Sequence, residues 1–298
     1  MDRELQLREL LAQPQHLPTI PALAQNLIDS FAREDASLVA IGRLIATDPG
    51  LSARLLRFAN SAYFRSTRAI GSVDDALKFL GLRMTRNLVI GSGLAAACKP
   101  VTGLDSRQFW RYSFATACVA RWLAGRARQD GELAFMVGLL HGIGQFAMRS
   151  SMPQHMKRID ESVHPLQAQR ALVERETLGF DHAEVGEQLA RQWRFPEDIA
   201  RGVGNTPRPL AAQPPSTVAA VVHLAAWRAR VEVLGAKGEE LPASYPSAVA
   251  ASLAVDKAWV RHLAAMGEMP DGGDAMPAIA ELTAGFDEMI VGDRAAHG

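Results

Sequence analysis

The residue of this chain best placed to do chemistry is His141. It closes the apolar run Phe135-Met136-Val137-Gly138-Leu139-Leu140 and is followed by Gly142-Ile143-Gly144. An imidazole at the end of a buried helix can ligate a metal ion or move a proton near neutral pH. A hydrolytic metal centre asks for a carboxylate beside it, since carboxylate oxygens suit hard divalent ions and can bridge two. Here the adjacent residue is Gly142, which brings no ligand. The competing expectation is a semi-buried histidine satisfied by a backbone carbonyl or a neighbouring hydroxyl. A second histidine, His182, stands in Asp181-His182-Ala183-Glu184, a capping-box pattern in which partial exposure is expected. The others, His16, His155, His164, His223, His262 and His297, show no ligand spacing.

Composition narrows the classes of function. Of 298 residues, 48% are hydrophobic and 21% charged, the balance of a globular chain with a large core. Lys plus Arg and Asp plus Glu both number 32, so no net field draws nucleic acid or an anionic membrane surface. Cys98 and Cys118 fall in alanine-rich helical runs and read as small buried residues of a reduced, cytoplasmic protein. The charged N-terminus is unlike a signal peptide, and no apolar run reaches the ~18 residues that span a bilayer.

The elements that must position these histidines read as helices throughout. Pro21 opens a helix through Leu27 and Ile28, and Ser37 caps one through Ile41 and Ile45. Asp48-Pro49 starts a helix whose Leu51, Leu55 and Phe58 recur at three- and four-residue steps, with Asn60-Ser61 near its end. Ser72-Val73-Asp74-Asp75 opens a helix that stops at Gly81, and Asn87 to Cys98 forms another. Lys99 to Gly103 breaks the pattern, which places a subdomain boundary at about residue 100.

A long helix follows from Gln108 to about Arg128, with Trp110, Phe114, Cys118 and Trp122 as a core stripe. Its Arg111, Arg121, Arg126 and Arg128 read as a solvated face. The helix of Phe135–Gly144 continues to Met152-Pro153, another runs from about Pro165 to Thr177, and Asp181 opens the next. The stretch from Thr206 to Pro215 is irregular, and Ser216 or Thr217 caps a helix through Trp227. Gly267 to Pro277 is a linker before a last helix at 279–290. The fold class expected is all-α, with subdomains at 1–100 and 101–230 and a C-terminal helical extension at 231–298.

The order of these motifs resembles the HDOD, or HD-related output domain, proteins of bacterial signalling. Leu17-Pro18-Thr19-Ile20-Pro21 is similar to the family's opening motif. Asp48, Pro49, Arg54, Asn60 and Ser61 lie in its most specific stretch, and Trp110 follows Phe109 in the next. Gly138-Leu139-Leu140-His141-Gly142 and Leu178-Gly179-Phe180-Asp181-His182 complete the likeness, which covers about residues 10–230. The wider HD superfamily hydrolyses phosphoesters with one or two metal ions. Transferred to this chain, its ligand positions fall on Tyr112, His141, Gly142, His182, near Asn205 and near Ala226. Only the two histidines are ligands.

The resemblance therefore implies a non-catalytic regulatory module that acts through other signalling proteins, with no cofactor, no bound metal and no catalytic residue. A sensor of a small ligand, such as a nucleotide, that uses the vestigial pocket is the alternative. Arg111, Arg121 and Arg149 are the cations such a ligand would meet. A divergent metal-dependent phosphohydrolase is the third reading, and nucleic acid and membrane are not expected partners.

Overall fold

The computed structural model describes residues 3–13, 15, 17–29, 38–61, 64, 66, 68–235, 244–254 and 279–283. His16, His262, His297, the Ser37 cap, the linker at 267–277 and positions 284–290 of the expected last helix lie outside the described residues. Every regular element among the described residues is a helix, which is the expected all-α class.

The first half comprises α1 (Arg3–Leu11), α2 (Ala22–Asp29), α3 (Leu38–Ala46), α4 (Pro49–Ala59) and α5 (Val73–Ala97). Helices α2, α3 and α4 pack on α5, whereas α1 packs on the second half, against the helices Gly144–Ser151 and His182–Gln192. Asp48 caps α4 by accepting from the Leu51 N–H at 2.9 Å, and Pro49 takes the first helical position, where its missing N–H costs nothing. Ser72 accepts from the Asp75 N–H and donates to the Asp75 carboxylate, which starts α5. The expected stop at Gly81 is present as a kink: at φ 76° and ψ 169° this residue breaks the helical path, and the chain resumes as a helix directly beyond it. Only glycine enters that backbone region without strain.

Asn60 has a structural task. Its amide donates to the Ile70 carbonyl and accepts from the Ile70 N–H, both at 2.8 Å, clamping the end of α4 to the chain before α5. Asn60→Ala should cost about 1–2 kcal/mol, two modest hydrogen bonds, when urea unfolding is compared with the parent. A change within about 0.5 kcal/mol, the range of an ordinary surface substitution, would contradict the clamp.

The second half comprises α6 (Ser106–Arg126), α7 (Gly131–Leu140), α8 (Gly144–Ser151), α9 (Pro153–Asp160), α10 (Arg170–Leu178), α11 (His182–Gln192), α12 (Glu197–Asn205) and α13 (Thr217–Val233). Two short helices follow, α14 (Ser247–Ser252) and α15 (Ile279–Leu282). The centre of this half is α6, packed along α7 and α13. Phe109, Trp110, Phe114 and Phe146 form an aromatic cluster there, with Phe109 and Phe146 edge-to-face at 4.9 Å. Both cysteines are free and buried, and burial pushes the Cys98 thiol up to about 12.

Two expected helices differ from the structure. The run through His141 does not continue to Gly144: α7 ends at Leu140, and Ile143 and Gln145 bond back three residues to Leu140 and Gly142. This tight turn puts His141 and Gly142 at a corner between α7 and α8. The helix expected from Pro165 begins only at Arg170. The preceding loop is held open by side chains: the carbonyls of Val163, Pro165 and Leu166 accept from Arg170, Gln145 and Arg230. Partners so distant in sequence leave no local signal.

Candidate functional site

Five of the helices, among them α10 through Ala171, and three connecting segments line a cavity of about 60 Å³. Helix α6 contributes Phe109 and Tyr112, one turn apart, and the α7–α8 corner contributes His141 and Gly142. Gln145 of α8 and the loop residues Pro165 to Ala168 form one wall. His182 enters from the start of α11, and Thr206 and Pro207 from the end of α12. Helix α13 completes it with His223, Ala226 and Arg230, spaced by three and four along one face.

Most of the vestigial positions thus converge: Tyr112, His141, Gly142, His182 and Ala226 all face this one cavity. Asn205 does not. It is the last residue of α12, and the next residue, Thr206, turns into the wall. The remaining motif residues serve the fold: Asp48 and Pro49 start α4, Asn60 clamps Ile70, Ser61 and Trp110 are buried, and neither they nor Arg54 lines the cavity.

Sequence reasoning missed His223 and Arg230. Their signal was the spacing of His223, Ala226 and Arg230 on one helical face, which has meaning only once one member is known to face a site. Of the arginines expected to meet a ligand, Arg149 is buried in a two-pronged ion pair with Asp160 at 2.7 and 2.9 Å, and Arg121 binds Glu132 at 2.8 Å. Neither these two nor Arg111 lines the cavity.

All three histidines of the cavity are held through Nδ1. His141 Nδ1–H donates to the Gly138 carbonyl at 2.6 Å and His223 Nδ1–H to the Thr206 carbonyl at 2.8 Å. Bonded to carbonyls, both rings carry their proton on Nδ1 and keep Nε2 as an acceptor. Burial pushes His141 down to about 3, with the charges of His182 and Arg230 adding to the effect, and burial likewise lowers His223. Both rings are therefore neutral at pH 7.

His182 differs. Its Nδ1 meets the Glu174 carboxylate at 2.6 Å, and its backbone N–H meets the same oxygen at 2.8 Å. Burial works against the imidazolium, but the Glu174 charge and hydrogen bond, with Asp181 behind them, hold the His182 pKa above its ordinary value. Glu174 is fully buried and also accepts from Arg170 Nε at 2.7 Å; Arg170 continues to Asp160 at 2.6 Å. A line of alternating charges, Arg149, Asp160, Arg170, Glu174 and His182, runs from α8 to the cavity wall.

The donor set does not suit the metal centre of an HD hydrolase. No Asp or Glu lines the cavity, and among the described residues no three His, Cys, Asp or Glu stand close enough to share an ion. A Cβ at Gly142, where the superfamily places its carboxylate, would lie 2.9 Å from the Phe109 ring.

The HDOD domain model matches residues 17–209, about two thirds of the chain. The chain belongs to the HDOD domain family. A solved structure from Shewanella amazonensis, described as a candidate phosphohydrolase, is 28% identical to this HDOD chain. Its TM-score is 0.71, and the match covers 94% of this chain and 96% of that one. An uncharacterised protein of Treponema pallidum is 28% identical over 189 residues, 61% of this chain and 36% of that protein. The cyclic di-GMP phosphodiesterase CdgJ of Vibrio cholerae is 24% identical over 228 residues, 65% of this chain and 49% of that protein. The HDOD chain thus spans about half or less of the length of both sequence relatives. No helix among the described residues is long and apolar enough to cross a membrane.

Proposed function

We propose that this HDOD chain is a non-catalytic signal-transduction module of a bacterial cytoplasm that acts by binding another protein. The observation that carries the reading is the lining of the cavity: three imidazoles, a guanidinium and a phenol, with no carboxylate to hold a hydrolytic ion. A catalytic metal site needs about three protein ligands around an open position, and the positions of Tyr112, Gly142 and Ala226 supply none. The phosphodiesterase activity in the name of the Vibrio cholerae relative belongs to a protein of which the matched part is about half.

The test is elemental analysis of protein equilibrated with Mn²⁺, together with turnover of bis(p-nitrophenyl) phosphate and cyclic di-GMP. The expected outcome is substoichiometric metal and no turnover above buffer; stoichiometric metal with turnover that is lost in His141→Ala would overturn the proposal. Affinity capture with the intact chain addresses the partner, and retention of a signalling protein that a surface variant releases is the expected result.

The alternative, a small-ligand sensor, is favoured by a separate feature. Arg230 faces the cavity with no carboxylate partner among the described residues; its bonds go to the Leu166 carbonyl and the Tyr112 hydroxyl. The two readings are compatible, because a ligand in the cavity would contact the loop at 161–169 and bias whatever surface that loop presents.

A further inference from the structure

We infer that this cavity is a metal-free site for one small oxyanion, a hydrogen phosphate or the terminal phosphoryl group of a larger ligand, held directly by Arg230, Tyr112 and His182. The inference rests on the reading of the cavity as a ligand pocket rather than a reaction centre.

Size sets the first limit. A cavity needs about 10–15 Å³ for each water it holds, so 60 Å³ takes a handful of waters or one tetrahedral anion. The space matches the phosphate of a nucleotide better than its base and sugar.

Charge sets the second. Arg230 brings a guanidinium to the cavity and no carboxylate lines the wall to neutralise it. Its Nε is spent on the Leu166 carbonyl at 2.5 Å and one N–H on the Tyr112 oxygen at 3.2 Å, so further N–H groups of the fork remain for an anion. Because the Tyr112 oxygen accepts from Arg230, its own O–H is left to donate. Glu174 fixes the His182 ring through Nδ1 and favours the imidazolium, whose remaining N–H is on Nε2.

The two neutral rings refine the choice. His141 and His223 both spend their Nδ1 proton on a carbonyl, so each keeps an Nε2 lone pair that can only accept. The anion that best matches both these donors and these acceptors carries charged oxygens and an O–H together. Hydrogen phosphate and a phosphomonoester monoanion do so; sulfate does not. The same arginine that would grip the anion also holds Leu166, so occupancy and the position of the 161–169 loop are read by one side chain.

The experiment uses the intact chain, stripped with EDTA and held at constant ionic strength, titrated with inorganic phosphate, sulfate or guanosine monophosphate by calorimetry and thermal melting. The expected result is saturable phosphate binding with a rising Tm, and sulfate at least ten-fold weaker. Arg230→Met should abolish the response. Tyr112→Phe removes one hydroxyl and keeps the ring, so it should fold normally and bind about ten-fold more weakly, one hydrogen bond to a charged group. Guanosine monophosphate binding that is lost in Arg230→Met supports the phosphoryl form of the inference and distinguishes that source from free phosphate. No saturable response in EDTA overturns it. So does binding that survives unchanged in both variants, or binding that appears only with Mn²⁺. Because the titration contains no metal and measures no turnover, its failure leaves the non-catalytic reading standing.

Discussion

Glu174→Ala is expected to destabilise the protein by about 3–5 kcal/mol, because it removes one member of a buried charge line, leaving His182 without its carboxylate and Arg170 with Asp160 alone. Glu174 is 0% exposed, and its two oxygens serve Arg170 and the His182 ring and backbone. Arg170 is itself 1% exposed, so no water replaces the lost carboxylate. The loss should depend on pH in a defined sense. Burial opposes ionisation of Glu174, yet His182 and Arg170 bring it from 4.5 to about 2, so its stabilising contribution is present above pH 4.5 and fades as pH falls through 2. The pKa of His182 is raised above its ordinary 6.5, so its contribution is complete below 6.5 and fades as pH rises through the folded value. The pair therefore stabilises most between about pH 4.5 and 6.5. Urea unfolding of parent and variant from pH 4 to 8.5 checks this. The gap should be widest near pH 5.5 and narrow as pH rises from 6.5 through the folded His182 value. A gap under about 1 kcal/mol, or one indifferent to pH, would refute the charge line as described.

The second large effect concerns Gly142→Asp. Restoring the carboxylate of the superfamily at this position should create no metal site and should cost about 2–4 kcal/mol. The added Cβ lies 2.9 Å from Phe109, whose ring packs edge-to-face on Trp110 and Phe146 at 5.3 and 4.9 Å and would have to shift out of that cluster. The carboxylate itself would enter a wall whose other vestigial positions, Tyr112 and Ala226, supply no ligand. Denaturation combined with Mn²⁺ calorimetry reads both parts. Micromolar Mn²⁺ binding by this single variant would show that the site has kept more of its ligand geometry than its residues indicate. The neighbouring Gly144 is constrained more severely still. A side chain there would run into the His182 carbonyl, so α8 and α11 touch through backbone alone and carry His141 and His182 to the same cavity.

How much of this was legible in the residues can be argued from particular cases. The helix starts at Asp48-Pro49, Ser72 and Asp181 needed no tertiary information, because each cap is satisfied within three residues. His141 was legible as a backbone-satisfied ring for the same reason, its partner being Gly138 one turn back. The end of α7 was not. A run of apolar residues with two glycines is equally compatible with a straight helix, and what bends it is the docking of Gly144 on α11. His182 was expected to be an ordinary first-turn residue, whereas Glu174, eight positions earlier on another helix, fixes its ring and raises its pKa.

By itself, then, the sequence determined the all-α class, the capped helix starts, the family likeness and the absence of a carboxylate after His141, since all of these depend on residue identity and short-range spacing. The tertiary structure alone decided that Tyr112, His141, His182, His223 and Arg230 share one small cavity. It also decided that Glu174 raises the pKa of His182 whereas burial lowers those of His141 and His223. Those properties arise from burial and from partners dozens of positions away, such as Arg230 with Tyr112 and Leu166, and chain-local patterns carry no record of such pairings.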